Sequence, residues 1–340
     1  MKKKPNWIKT WGVALLGLVS SVMSVLLIQG CMKDSLEECG VTLIVRYTDN
    51  PVSRLNSSED LLASEVDNFT LFIFDKNGKF VDSYPVNGPL HNGYALSFPL
   101  LEGTYDFIVW GNLFEDFELP NLIKGVTSKT DVALMLSHVE NGIMRDTIPN
   151  LYFGHTETAI KSAPQQSQIV EVTLMQNVKT VTVTIKGDGT EDADEFRQFL
   201  ESLDCYIQSR NSGVRFDNNL NGIEMIEFET YKPPRIETAA DGSVSLVLDY
   251  MLLREVQDLL RSKPSESKLH VVNSLGVDLV LDLADYMLQE AETRSDYNNK
   301  LDWLYHFDVL ITIENKTSMT ATITINAWSE TGGSTDVGWS

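Results

Sequence analysis

From residue 41 onward, segment after segment alternates in hydrophobicity with a period of two, and this pattern limits the fold more than any other feature. Successive side chains on an extended strand point to opposite faces, so the alternation describes strands with one face in a core and one in water. Val41, Leu43 and Val45 interleave with Thr42, Ile44 and Arg46. Val170, Val172 and Leu174 form one face of a second strand, and Val181, Val183 and Ile185 alternate with threonines in a third. Phe69-Thr70-Leu71-Phe72-Ile73-Phe74 is a denser β-prone run that stops at Asp75-Lys76-Asn77-Gly78 and restarts at Lys79-Phe80-Val81. The Asn-Gly step supplies the positive φ that tight turns require, so a hairpin is predicted here. Tyr105–Trp110 reads as another strand, closed by Gly111-Asn112. In the second half, Ser245–Leu248, Leu269–Val272 and Val277–Leu281 read as strands. Phe307–Ile313 and Thr320–Trp328 flank Glu314-Asn315-Lys316-Thr317 as a terminal hairpin. One segment breaks the period: Phe196, Phe199, Leu200 and Leu203 fall at i, i+3, i+4 and i+7, which predicts a short amphipathic helix over residues 191–203.

Many short strands separated by turns predict a mainly β fold built as two β-sandwiches. The 340 residues suit about two domains, and 43% apolar content is enough to fill their cores. The polar pair Gln176-Asn177 marks the expected boundary, with an N-terminal sandwich over residues 41–176 and a C-terminal one over 177–340. There is no exact internal repeat.

Residues 1–30 have the three parts of an export signal. Lys2-Lys3-Lys4 is the basic start, residues 11–28 carry no charge, and the segment closes on Leu27-Ile28-Gln29-Gly30-Cys31. That ending resembles the lipobox of bacterial lipoproteins: an aliphatic residue at −3, a small residue at −1, then a thiol that takes the lipid. Two other readings compete, an uncleaved membrane helix of borderline length and an ordinary signal with an incidental cysteine. Charge, apolar run and cysteine agree in register with the lipoprotein, so cleavage is expected after Gly30 and lipidation (palmitate) at Cys31. One acyl chain anchors marginally, and the two or three usual in bacterial lipoproteins anchor stably. Residues 31–40 then form a lipidated linker, acidic over Lys33-Asp34-Ser35-Leu36-Glu37-Glu38. The other cysteines, Cys39 and Cys205, allow a disulfide in an exported chain.

Little in the sequence suggests chemistry. His91, His138, His155, His270 and His306 show no metal-ligand spacing, and there is no nucleophile elbow, zinc-protease motif or phosphate-binding glycine loop. No cofactor or metal is called for. His155-Thr156-Glu157 reads as a surface loop. The acids Asp188, Glu191, Asp192, Asp194 and Glu195 lack EF-hand spacing; they suit the first turn of the predicted helix, with Thr190 as its cap. Trp110 and Trp328 end apolar strands as core or core-rim residues, with a ligand platform as the alternative. The net charge of −21 opposes nucleic-acid binding.

The strand sequences themselves carry a resemblance. Val66–Val81, the run Gly103-Thr104-Tyr105-Asp106-Phe107-Ile108-Val109-Trp110-Gly111-Asn112, the segment Leu151-Tyr152-Phe153-Gly154 and the ending Ile323–Trp328 resemble the FimB-type fimbrial anchor lipoproteins of Bacteroidales. Cys39, eight residues after Cys31, also fits. The chain departs from the pattern at Asn68, where family members often have a cysteine, which leaves Cys39 free or paired elsewhere. The resemblance implies two tandem transthyretin-like β-sandwich domains. It also implies an outer-membrane lipoprotein at the base of a fimbrium that holds the fibre and ends its growth. Its partners would be fimbrial (fimbrillin) subunits joined by strand exchange. The tail after Trp328 is polar and Gly-rich, a poor donor strand, as suits a terminal subunit; a frayed end is the alternative. Two other functions are weighed: a surface lipoprotein that binds glycan or host protein, expected to present Trp110 or Trp303 outward, and an enzyme, which would need a pocket of convergent polar groups.

Overall fold

The structure is a computed structural model and describes residues 39–47, 60–113, 117–161, 167–219, 224–254, 257–258, 263–264, 266–293 and 304–328. In chain order the first half holds β1 (Cys39–Arg46), α1 (Leu61–Glu65), β2 (Asn68–Asp75), β3 (Phe80–Asn87), β4 (Tyr94–Leu100), β5 (Gly103–Gly111), β6 (Phe117–Glu118), β7 (Ala133–Leu136), β8 (Val139–Glu140), β9 (Ile143–Met144), β10 (Tyr152–Ile160), β11 (Gln168–Thr173) and β12 (Met175–Gln176). The second half holds β13 (Val178–Gly187), α2 (Ala193–Glu201), β14 (Asp204–Ser209), β15 (Gly213–Arg215), β16 (Ile226–Phe228), β17 (Arg235–Thr238), β18 (Val244–Leu253), β19 (Gln257–Asp258), β20 (Lys263–Pro264), β21 (Lys268–Val272), β22 (Asp278–Asp282), α3 (Leu283–Thr293), β23 (His306–Asn315) and β24 (Thr320–Trp328).

The fold is mainly β and uses several sheets. In the first half a three-stranded sheet, β11-β1-β4, covers one face of a five-stranded sheet, β12-β10-β5-β2-β3. Between them lies one core: Val41, Leu43 and Val45 of β1 meet Phe69, Leu71 and Ile73 of β2 and Phe107 and Val109 of β5. In the second half a five-stranded sheet, β17-β18-β13-β23-β24, shares its core with a six-stranded sheet, β22-β21-β14-β16-β9-β8. The two halves use one device. Each opens with a central strand that is antiparallel to one neighbour and parallel to a strand from late in the same half: β1 beside β11, and β13 beside β23.

The predicted 69–81 hairpin forms as β2–β3, turning at Gly78 with φ of 72°. Asp75 Oδ1 accepts from the backbone N–H of Asn77 at 2.8 Å and Lys79 at 2.9 Å. Burial works to raise the Asp75 carboxyl, but these donors outweigh it and hold its pKa below the ordinary value. The terminal hairpin forms as β23–β24. The predicted helix forms as α2, shorter than expected. Its cap is Asp192, not Thr190: Asp192 Oδ1 accepts from the N–H groups of Asp194 and Glu195, both at 3.1 Å. Thr190 lies two residues too early and instead donates its hydroxyl to Asp188 Oδ1 at 2.6 Å. Helix α3 has no counterpart in the sequence reading. It follows β22 without a break and buries Leu283, Ala284 and Met287.

Strand pairing crosses the sequence midpoint. β7 pairs with β15 and β9 with β16, so residues 133–144 lie in sheets completed by residues 213–228. The outer face of β2, β5 and β10 presents Phe72, Phe74, Ile108, Trp110 and Phe153, and these belong to the same buried cluster as the second-half core. Phe216 meets Phe72 edge-on at 4.8 Å and Phe74 at 5.8 Å between ring centroids.

Candidate interaction surfaces

Gly30, Cys31, the acidic linker over residues 33–38, Trp303 and the tail from residue 329 lie outside the described residues. Trp110 is fully buried on β5 and packs on Phe153 with 4.8 Å between centroids, so it is a core residue and offers no ligand platform. Cys205 on β14 is a free thiol and forms no bridge to Cys39. The two residues sit in different sheets, Cys39 opposite Leu100 and Cys205 opposite Val271. Burial, and after it the negative charge of Asp204, push the Cys205 thiol up to about 12, where it holds its proton and is a poor nucleophile.

His155 lies on strand β10, not in a loop. Its Nε2 stands 2.6 Å from Oδ1 of Asp106 on β5, and Lys129 Nζ pairs with the other carboxylate oxygen. Burial acts to raise the Asp106 pKa, but His155 and Lys129 together hold it below 3.8. His270 and His306 are each tied to a neighbouring aspartate, Asp278 at 2.8 Å and Asp308 at 3.1 Å. Among the described residues no three His, Cys, Asp or Glu side chains gather as a metal site.

Sheet edges are the surfaces best built to bind. An edge strand presents unpaired N–H and C=O groups that another strand can take up. Most edges here are blunted. β3 carries Pro85 and β4 carries Pro99; proline removes a donor from the ladder. β22 is bounded by Asp278 and Asp282, β17 is four residues with Arg235 and Glu237, and β11 carries Glu171. β24 differs. Thr-Ala-Thr-Ile-Thr-Ile-Asn-Ala-Trp is nine residues with neither proline nor charge. One side pairs with β23, and among the described residues no strand lies on the other. Ala321, Ile323 and Ile325 pack on the core, so the threonines line the opposite face. The alternating residues at 320–328 made this strand predictable; its position at an edge depends on the whole topology.

Comparison with known proteins places this architecture. The profile of the family described as fimbrillin-A associated anchor proteins Mfa1 and Mfa2 matches residues 36–332. Among solved structures, a candidate adhesin from Bacteroides thetaiotaomicron superposes with a TM-score of 0.66 at 20% identity, over 86% of this chain and 97% of the other. A candidate adhesin from Bacteroides ovatus gives 0.65 at 17%, over 88% and 99%. The fimbrial anchor protein Mfa2 from Porphyromonas gingivalis gives 0.64 at 18%, over 85% and 98%. At these identities the structures establish a shared fold. No curated protein sequence matches.

Proposed function

This chain belongs to the family of fimbrillin-A associated anchor proteins, and from that premise we propose that it is a lipid-anchored outer-membrane protein that holds a fimbrium to the cell surface and limits its growth. It is a structural protein and not an enzyme, as the anchors of this family are. The family match over residues 36–332 carries the anchoring role. Within the family the words Val66–Val81 and Gly103–Asn112 favour the FimB type, and residues 41–176 and 177–340 are read as two tandem transthyretin-like sandwiches. The lipid on Cys31, after cleavage at Gly30, supplies the attachment. The partner is a fimbrial subunit that contributes a strand. β24 supports this part of the reading: it is long, free of proline and charge, and strand-paired on one side alone among the described residues, with helix α3 packed beside it.

The lipid is tested in cells that assemble fimbriae. With Cys31→Ala, fibres are expected in the medium rather than on the cells, measured by sedimentation and by microscopy of washed cells. Fibres that stay attached to Cys31→Ala cells would overturn the anchoring role.

A further inference from the structure

The sheet β11-β1-β4 turns one face to the first-half core and the other to solvent. Val41, Leu43 and Val45 of β1 are in the core, so Gly40, Thr42 and Ile44 lie on the outer face. The register sets Thr42 between Ser97 of β4 and Ile169 of β11, and Ile44 beside Ala95. Gly40, Ala95, Ser97, Pro99 and Ile169 are all exposed, so no other described element covers this face. Ile169 is 62% exposed, and Leu101, just past the β4 residue that pairs with Cys39, is 57% exposed. The hydroxyl groups answer one another: Thr42 Oγ1 lies 3.0 Å from Ser97 Oγ and 2.8 Å from Ser167 Oγ. Charge enters only at the margins. Glu171 stands beside Ile44 and pairs with Arg46 at 3.4 Å, and at the Cys39 end Glu102 and Lys161, of opposite sign, flank the last pair of β5 and β10.

In a chain of net charge −21, a face without unpaired charge is set apart by what it can approach. Its place in the chain says what is near. Cys31 precedes Cys39, where β1 starts, by eight residues. An extended residue spans at most about 3.6 Å, so a lipid on Cys31 holds the start of β1 within about 29 Å of the bilayer. The tether carries Lys33, Asp34, Glu37 and Glu38, so this face is the first charge-free surface after the lipid. Charged groups are costly at the boundary of headgroups and acyl chains, whereas aliphatic side chains and mutually bonded hydroxyls are accepted there. A partner strand would need a free ladder edge instead of a face, and the strands that flank this face carry Pro99 and Glu171.

We propose that the outer face of β11-β1-β4 lies against the lipid surface that holds Cys31, with Ile169, Leu101 and Ile44 at the depth of the headgroups. The proposal rests on the lipid of the anchoring reading and adds the orientation of the chain on the membrane.

The test uses the full lipidated chain in vesicles of phosphatidylcholine with phosphatidylglycerol, made with or without bromine on the acyl chains, which quenches nearby tryptophan. One tryptophan is added at Ile169 or, for comparison, at Leu275, an exposed position of the second half. The added emission of Ile169→Trp is expected to fall by roughly half in brominated vesicles, as suits a side chain at the ~5–10 Å depth of interfacial segments, and that of Leu275→Trp by less than about a tenth. Leu101→Asp in the Ile169→Trp chain should restore most of the lost emission. Equal quenching at both positions would mean that the chain has no preferred face on the bilayer, and the proposal falls. Chains that float with the vesicles while Ile169→Trp is unquenched would also overturn it, and would leave the lipid anchor standing. An Ile169→Trp emission that shifts to the blue with no effect of bromine would give the face to a second copy of this chain instead. Chains that do not float with the vesicles would remove the lipid on Cys31 and the proposal with it.

Discussion

Gly154 lies where residues 168–176 leave one sheet of the first half and join the other. β11 pairs with β1, β12 pairs with β10, and Leu174 between them donates its N–H to Arg46 O at 2.7 Å. The crossing presses on β10. A Cβ on Gly154 would stand 2.5 Å from Val172 Cγ1 and 2.9 Å from the carbonyl oxygen of Thr173. The second of these is backbone and cannot swing aside, so Gly154→Ala is expected to cost about 1–3 kcal/mol through overpacking. Urea unfolding should show a lower midpoint at unchanged slope; an unchanged midpoint would mean that the crossing yields. Asn112 gives the Trp-Gly-Asn run a similar reason. Its φ is 59°, its Nδ2 donates to Glu65 O at 2.9 Å, and its Oδ1 accepts from Asp67 N at 2.8 Å, so it ties the end of β5 to the approach to β2. Asp106 carries the clearest pH dependence. Its folded pKa is held below 3.8, so its stabilising effect is complete above 3.8 and is lost as pH falls through the depressed value. Asp106→Asn should therefore destabilise at pH 7 and destabilise less at pH 2. Equal losses at the two pH values would remove the ion cluster as the cause.

At the scale of the element, β24 is the strand on which the proposed contact with a fimbrial subunit rests. Lysines on an edge strand discourage pairing with an incoming chain. Thr320→Lys with Thr324→Lys changes the face opposite Ile323 and Ile325 and leaves the core untouched. The double variant should fold with wild-type unfolding behaviour and retain less fimbrial subunit in co-purification from solubilised outer membranes. Undiminished co-purification would move the strand contact to another edge. The same elements show what the sequence could reveal. β2–β3 and β23–β24 were legible because strong alternation flanks a turn with a physical signature. Trp110 was legible as core because it ends an unbroken apolar run. The cap of α2 was misplaced by two residues because Thr190 and Asp192 are both capable acceptors, and only the backbone decides which one faces the free N–H groups. Helix α3 was hidden because it continues directly from β22, where the strand pattern masks Leu283 and Met287. Strands of two to four residues, such as β7, β9, β15 and β16, are too short to express a period.

At the scale of the molecule, the halves share material. The five-stranded sheet of the first half is buried on both faces: by β1, β4 and β11 on one side, and by the cluster around Phe216 on the other. β7–β15 and β9–β16 add backbone ladders across the same junction. If the chain holds a fibre against a membrane, as proposed, it carries load along its length, and a junction of packed rings and hydrogen-bonded strands transmits load better than a free linker would. Phe216 is the residue to remove. It is fully buried, and its ring bridges Phe72 and Phe74 to the second-half core. Phe216→Ala should cost about 3–5 kcal/mol, in the range for truncating a buried aromatic. Because the cavity it leaves belongs to both halves, the loss should spread. Amide hydrogen exchange is expected to accelerate in β2 and β5 as well as in β14 and β16. A loss of protection confined to residues 204–228 would mean that the halves unfold independently and that their contact bears no load.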